Sequence, residues 1–289
     1  MKFSKLKIFP GWRIASFLAL SVFLCGCSPR VANMTKGSFE IDLPKPVLGA
    51  GIYIFPDELH VRGTMSYNTG DKETLAMEGM KNGASSQFPE EPADIDLTLQ
   101  RHPLSGTVDI FYKLRQSQFT FGGNLSIDPN PSANFFLGIN GLYGECGYGV
   151  RLDYLKAKAS YSGHYVYMTD NFLTREAEGD FDETHDQWNV NFGLFFFSGF
   201  FVTSNLSINF STGLYMPTSL EEVYLDKVEY PGDYDVMMDD IPLFFSQYVG
   251  MTMTLLDRVQ MRAGEMVYYT PYSDNLIWQT HFSVSFFIL

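Results

Sequence analysis

SNLSINFSTGLY, residues 204–215, divides into two faces. Leu206, Ile208, Phe210 and Leu214 share one phase, and Asn205, Ser207, Asn209, Ser211 and Gly213 share the other. A period of two is that of a β-strand with an oily and a polar side. The fold turns on which side meets water. In a soluble barrel the apolar side fills the interior; in a membrane barrel it faces lipid.

The same alternation recurs along the chain. It runs through 59–67, 95–99, 107–115, 118–127, 134–140, 148–154, 158–167, 187–194, 244–255, 258–263 and 278–288. Counted with the opening stretch, the pattern predicts an all-β chain of about twelve strands, with bounds of roughly ten to fourteen. No apolar run of transmembrane-helix length follows the first segment; the longest, Phe192 to Val202, is interrupted by Ser198-Gly199. The polar face is rich in Asn, Ser, Gly, Gln and Thr, whereas a face in bulk water is normally dominated by Lys and Glu. The opposite face carries Phe, Leu, Tyr, Val and Trp along nearly every strand. Eight strands already enclose a filled interior, so twelve could not be packed solid by these residues. The expectation is that the oily face points outward, giving a closed, antiparallel, up-and-down transmembrane β-barrel over residues 58–289. A lipid-tethered soluble β-barrel binding an apolar ligand is the alternative.

The connections point the same way. His102 to Ser105, Asp128 to Ser132, Lys156-Ala157, Ser198-Gly199 and Leu256-Asp257 read as one set of short turns. The alternating set holds the long stretches Asn68 to Ala93, Thr169 to Asp186 and Met216 to Asp240, with shorter members near Gln116, near Gly144 and at Pro271 to Asn275. Short turns on one rim and long loops on the other suit a membrane barrel. An even strand number would put both chain ends on the short-turn, periplasmic side and the long loops outside the cell.

The chain opens MKFSKLKIFPGWRIASFLALSVFLCGCSPR, a basic start followed by a brief apolar run, which reads as a secretory signal over residues 1–26. Leu24-Cys25-Gly26-Cys27 resembles the lipobox of bacterial lipoproteins, although Cys25 stands where Ser or Ala is usual. That resemblance implies that Cys27 receives the lipid and begins the mature chain. Residues 27–57 then form a lipidated segment that could add a hairpin or plug the barrel. With Cys25 removed and Cys27 acylated, only Cys146 remains, so no disulfide or cysteine-based metal cluster is expected. Without Lys2, Lys5, Lys7 and Arg13 the chain holds 16 basic and 33 acidic residues, a net charge of −17 that argues against nucleic acid as a partner.

Over residues 58–289 the chain resembles bacterial outer-membrane β-barrel proteins in architecture, and HFSVSFFIL, residues 281–289, is similar to their C-terminal assembly signal, departing from it in ending on Leu289. The resemblance implies insertion by the barrel-assembly machinery into outer-membrane lipid. Tyr215, Tyr248, Tyr268, Tyr269 and Tyr272 would form an aromatic girdle on the long-loop rim.

The inward phase predicts a charged lumen of Arg62, Asp96, Asp109, Lys113, Arg115, Arg151, Asp153, Lys156, Lys158, Arg258 and Arg262. Charges enclosed by a lipid-facing wall either line water or pair with one another. The first case is a pore for small solutes, with Arg151, Lys158, Arg258 and Arg262 favouring anionic ones. The second is a closed barrel with a structural or surface-interaction role. Asp180, Asp182, Asp233, Asp235, Asp239 and Asp240 could hold Ca²⁺ or bridge it to surface glycolipid, but no EF-hand spacing accompanies them, and a solvated acidic loop is the simpler reading. His185 among carboxylates loosely resembles the site of omptin proteases without their paired motifs. Ser162/His164 and His281/Ser283 are chance-level pairs for a Ser-rich strand. No enzyme and no cofactor are expected.

Overall fold

The computed structural model describes residues 30–42, 45–69, 72–81, 92–100, 103–126, 131–168, 176–216, 222–236, 243–255, 258–271 and 273–288. Cys27, Asp239 and Asp240 lie outside these residues, and Lys156 lies within them by its backbone alone. Every element found is a strand: β1 (Arg30–Asp42), β2 (Leu59–Thr69), β3 (Glu73–Lys81), β4 (Pro92–Gln100), β5 (Leu104–Lys113), β6 (Phe119–Ser126), β7 (Ser132–Asn140) and β8 (Gly144–Met168). The second half adds β9 (Glu176–Thr203), β10 (Leu206–Met216), β11 (Glu222–Leu225), β12 (Gly232–Val236), β13 (Phe244–Leu255), β14 (Val259–Tyr269) and β15 (Ile277–Phe287).

Ten of these strands form a closed antiparallel wall. The ring runs β2, β5, β6, β7, β8, β9, β10, β13, β14 and β15, and β15 pairs back onto β2 from Thr280↔Thr69 to Phe287↔Arg62. Closure leaves no wall strand with an unpaired edge in the apolar band. Side-chain exposure shows which face of the wall points outward. Along β10 Ser207 and Asn209 are 1% and 3% exposed, while Phe210, on the opposite phase of the same strand, is 41% exposed. Around the ring Met65, Leu125, Phe135, Tyr148, Met251, Trp278 and Phe286 all face outward. An apolar belt on every wall strand has lipid as its natural solvent.

The expectation of about twelve wall strands is corrected to ten. Ile95–Leu99 belongs to β4, which pairs in parallel with β1 outside the ring. Lys156-Ala157 is not a turn but the middle of β8, 25 residues long, paired without interruption to β9 from Gly144↔Phe200 to Met168↔Glu176. Ser198-Gly199 likewise lies within β9, and the actual turn is Ser204-Asn205. With the extra strand removed, the rims rearrange. The strand ends flanking 114–118, 141–143, 204–205 and 256–258 share the turn rim, and Leu104, Ser126 and Ser132, beside the expected turns His102–Ser105 and Asp128–Ser132, stand on the loop rim instead.

Above the loop rim stands a second body, built from β1, β3, β4, β11, β12 and the outer halves of β8 and β9. β1 is its axis: antiparallel to β8 from Arg30↔Tyr167 to Glu40↔Lys158, and parallel to β4 and β12. Its interior is apolar, with Phe39, Leu75, Leu97, Tyr161, Phe181, Val223 and Tyr234 buried. That core is continuous with Tyr215, Phe244, Tyr248, Tyr268 and Ile277, which point inward at the top of the wall. The lobe therefore caps the loop-rim mouth. Tyr215, Tyr248 and Tyr268 are thus no outward girdle: each falls on the inward phase of its strand and is at most 3% exposed. Tyr272 lies outside the described residues.

Candidate functional site

The lumen is occupied by the chain itself. β1 ends at Asp42 on the loop rim, β2 begins at Leu59 on the turn rim, and residues 45–57 join them inside the wall. Seven wall strands hydrogen-bond to this segment. At its upper end Lys45 Nζ donates to Ser126 Oγ at 3.0 Å, and an Arg151 guanidinium N donates to the Lys45 carbonyl at 2.6 Å. Lower down, Asn140 Nδ2 donates to the Ile52 carbonyl and Lys113 Nζ to the Ile54 carbonyl. Asp57 N then joins the turn rim at the Lys113 carbonyl, 2.9 Å away.

The grip is closest at Gly49-Ala50-Gly51. Glu145 accepts from Ala50 N at 3.0 Å and Gly51 N at 2.7 Å. From the other side Arg62, Gln260 and Arg262 donate to the Ala50 carbonyl at 3.0, 2.9 and 3.1 Å, and Arg262 also to the Gly49 carbonyl at 2.8 Å. Both glycines are needed. A Cβ at residue 49 would lie 2.3 Å from a Glu145 oxygen, and Gly51 has φ of +75°, a conformation side chains disfavour. The segment's apolar side, Val47, Ala50 and Ile54, packs on the inward rings Phe111, Phe136, Phe195 and Phe197.

Two of the cations that hold the segment are paired with carboxylates. Arg62 Nε lies 2.8 Å from an Asp109 oxygen that also accepts from Thr64, and Arg151 forks onto Asp153 at 2.5–2.7 Å. Arg62, Asp109, Lys113, Arg151, Asp153 and Arg262 are all at most 5% exposed. Ion pairs this deep stand only when the remaining donors and acceptors are also satisfied, and here the segment's carbonyls accept the guanidinium and ammonium donors. Beside the segment lies a cavity of about 40 Å³, room for roughly one or two waters. Below it an open vestibule of about 1200 Å³ reaches the turn rim past Tyr53, Glu58, His60 and Arg258.

Six of the charged residues expected in the lumen meet there. Four do not. Asp96 is on β4 in the lobe, Lys158 is on β8 beyond the wall, and Arg115 and Arg258 sit in turn-rim connections, all exposed. The proposed basic arc of Arg151, Lys158, Arg258 and Arg262 is therefore reduced to its first and last members. Glu145, the central acceptor, went unrecognised, although it shares the inward phase of Gly147, Gly149, Arg151 and Asp153; Gly144 beside it reads as a turn.

The lobe carries its own polar features. Asp94, Asp96 and Asp182 line a groove of about 640 Å³ with Lys36. Asp180, Asp182, Asp233 and Asp235 are exposed and do not converge as a ligand set. The metal-ligating atoms that do lie within 4.8 Å of one another, among the described residues, belong to Glu183, His185 and Asp226. Both Glu183 oxygens already accept, from the backbone N–H groups of Asp226 and Lys227 at 2.8–2.9 Å and from His185 Nε2 at 2.7 Å. Burial pushes the Glu183 carboxyl upward, but these donors outweigh it and hold it below the usual range. This carboxylate closes the turn after β11. Burial also raises the Tyr234 phenol to about 12. His164 Nδ1 pairs with Asp180, an orienting acid unforeseen in the sequence, but no serine hydroxyl bonds its other nitrogen among the described residues. His281 Nδ1 is bonded to Asn68 at 2.7 Å inside the wall.

No protein-family model matches the chain, and no curated protein matches it in sequence. Solved structures with a similar form include an outer membrane channel from Pseudomonas putida F1, at 11% identity and TM-score 0.39, covering 83% of this chain and 98% of that one. A Pseudomonas aeruginosa FadL homologue overlaps at 10% identity and TM-score 0.34, over 82% and 95% of the two chains. The translocator domain of the autotransporter NalP from Neisseria meningitidis does so at 8% and 0.30, over 79% and 88%. At such values the functional reading rests on the chain's own residues. Those residues build a pore-like membrane barrel, closed by its own chain.

Proposed function

We propose that this chain is a lipoprotein of the bacterial outer membrane, anchored through Cys27, whose barrel is held shut at rest and whose lobe works at the cell surface. The turn rim faces the periplasm in this reading. The observation that carries it is the backbone of residues 49–51, bonded from opposite sides by Glu145 and by Arg62, Gln260 and Arg262. Its partners are outer-membrane lipid, the barrel-assembly machinery and whatever meets the acidic groove of the lobe, including surface glycolipid through divalent ions.

A second reading, a regulated pore for small polar solutes, is favoured by slack in the link. Fully extended, the chain from Asp42 to Leu59 would span about 55–60 Å, roughly twice the ~25 Å height of an apolar band. The segment could move to one wall with both ends fastened, baring Arg62, Gln260 and Arg262 to oxygen-rich or anionic solutes. Conductance in planar bilayers tests both. Wild-type protein is expected to be nearly silent, and Glu145→Ala, which removes the acceptor for two backbone donors, to open frequently. Steady conductance by the wild type would sink the resting closure. Silence from both, in protein whose gel mobility still shifts on heating, would remove the pore reading and leave the closed barrel.

A further inference from the structure

The two ends of the described chain leave the wall on opposite sides. β15 finishes on the turn rim, where Ile288 N donates to the Val61 carbonyl. Arg30 is paired with Tyr167, at the end of β8 farthest from Gly144 and the turn rim. From there β1 descends to the loop rim, residues 45–57 cross the lumen, and β2 starts at the bottom. The crossing is fixed at both ends: above by the β1–β8 and β1–β4 ladders, below by Asp57 N and Tyr112 Oη, the latter donating to Asp57 at 2.7 Å. The first described residue thus lies on the lobe side of the wall and the last on the turn rim, where a single rim was expected for both chain ends.

We infer that the mature amino terminus, and with it any lipid on Cys27, stands on the cell-surface side of the membrane, joined to the periplasmic side only through the chain's own lumen. The inference rests on the outer-membrane orientation proposed above. Cys27 precedes Arg30 by three residues, a reach of at most about 11 Å. The apolar band is about 25 Å tall and the lumen is already filled, so Cys27 cannot return to the inner leaflet.

Thiol labelling with a membrane-impermeant maleimide tests this in whole cells, in a Cys146→Ser background with that parent as the blank. Lys36→Cys on β1, Glu178→Cys on the outer half of β9 and Arg258→Cys at the turn rim are all exposed positions away from the lumen grip. Lys36→Cys and Glu178→Cys are expected to label in intact cells as fully as after permeabilisation, and Arg258→Cys only after it. Lys36→Cys behaving like Arg258→Cys while Glu178→Cys still labels intact cells would overturn the inference and leave the barrel's orientation standing. Glu178→Cys closed to the reagent until permeabilisation would overturn both.

Discussion

β8 and β9 each run through two environments, and the same face of the same strand changes chemistry between them. In the wall half of β8 the inward residues are Gly147, Gly149, Arg151 and Asp153, and the outward ones are Tyr148, Val150, Leu152 and Tyr154. In the lobe half the inward residues, still on the odd phase, become Ala159, Tyr161 and Tyr165, and the outward ones become Lys158, Ser160, Ser162 and His164. β9 repeats this, with Asp180, Asp182, Thr184 and Asp186 outward in the lobe and Val190, Phe192, Leu194 and Phe196 outward in the wall. Geometry is continuous; the solvent is not. The exchange, between 154 and 158 on one strand and between 186 and 190 on the other, marks where lipid gives way to water.

The largest effect is expected inside the wall. Arg62→Ala leaves Asp109 buried beside Thr64 without its cation and removes a donor to the Ala50 carbonyl, and losing one member of a buried pair costs about 3–5 kcal/mol. Urea-dependent unfolding in lipid vesicles would show it; a loss no greater than that of a surface mutant would mean that water replaces the pair. On the outer face, Leu194→Arg places a charge in the apolar band, at a cost of about 2–4 kcal/mol near its middle. Asp182→Arg, also outward on β9 but in the lobe, should stay within about 0.5 kcal/mol. Equal effects in the same vesicle assay would show that the proposed lipid boundary on β9 is misplaced.

The smallest effect is confined to the lobe and to acid. Glu183 has its folded-state pKa depressed, so its contribution is present above the unfolded value near 4.3–4.5 and is lost as pH falls through the folded value. Protease resistance of the lobe in wild type and Glu183→Gln should differ by a constant margin above about pH 5, and the margin should shrink below pH 4. A margin that grows on acidification would mean that the carboxylate is not the acceptor for Asp226 and Lys227.

That exchange of solvent also explains what the sequence could and could not reveal. Period-two alternation located every wall strand, and the inward phase correctly gathered Arg62, Asp109, Lys113, Arg151, Asp153 and Arg262, because pleating fixes a side chain's direction whatever surrounds it. It could not distinguish a wall strand from a lobe strand, so Ile95–Leu99, with the same alternation, was counted in the ring. At Lys156-Ala157 the apolar residues change face, which in a single solvent would signal a turn. One strand too many before that point and one false turn at it cancel in parity, so the strand directions from β9 onward agree with the sequence pattern, while those of β5, β6 and β7 are reversed. Glu145 and the glycines of residues 49–51 escaped because their partners come from distant strands and are main-chain atoms, which leave no trace in a side-chain pattern.

The link through the lumen also dictates a chronology. A ring already closed could admit residues 45–57 only if a free end were drawn through it, lobe strand and all. An open sheet has no such difficulty: the link can lie across its concave side while neighbouring hairpins form in turn. The seam between β2 and β15 joins the first and last wall strands. Its zipping is therefore the last event, and the final eleven residues of strand, Ile277–Phe287, act as a clasp that shuts only after the contents are in place.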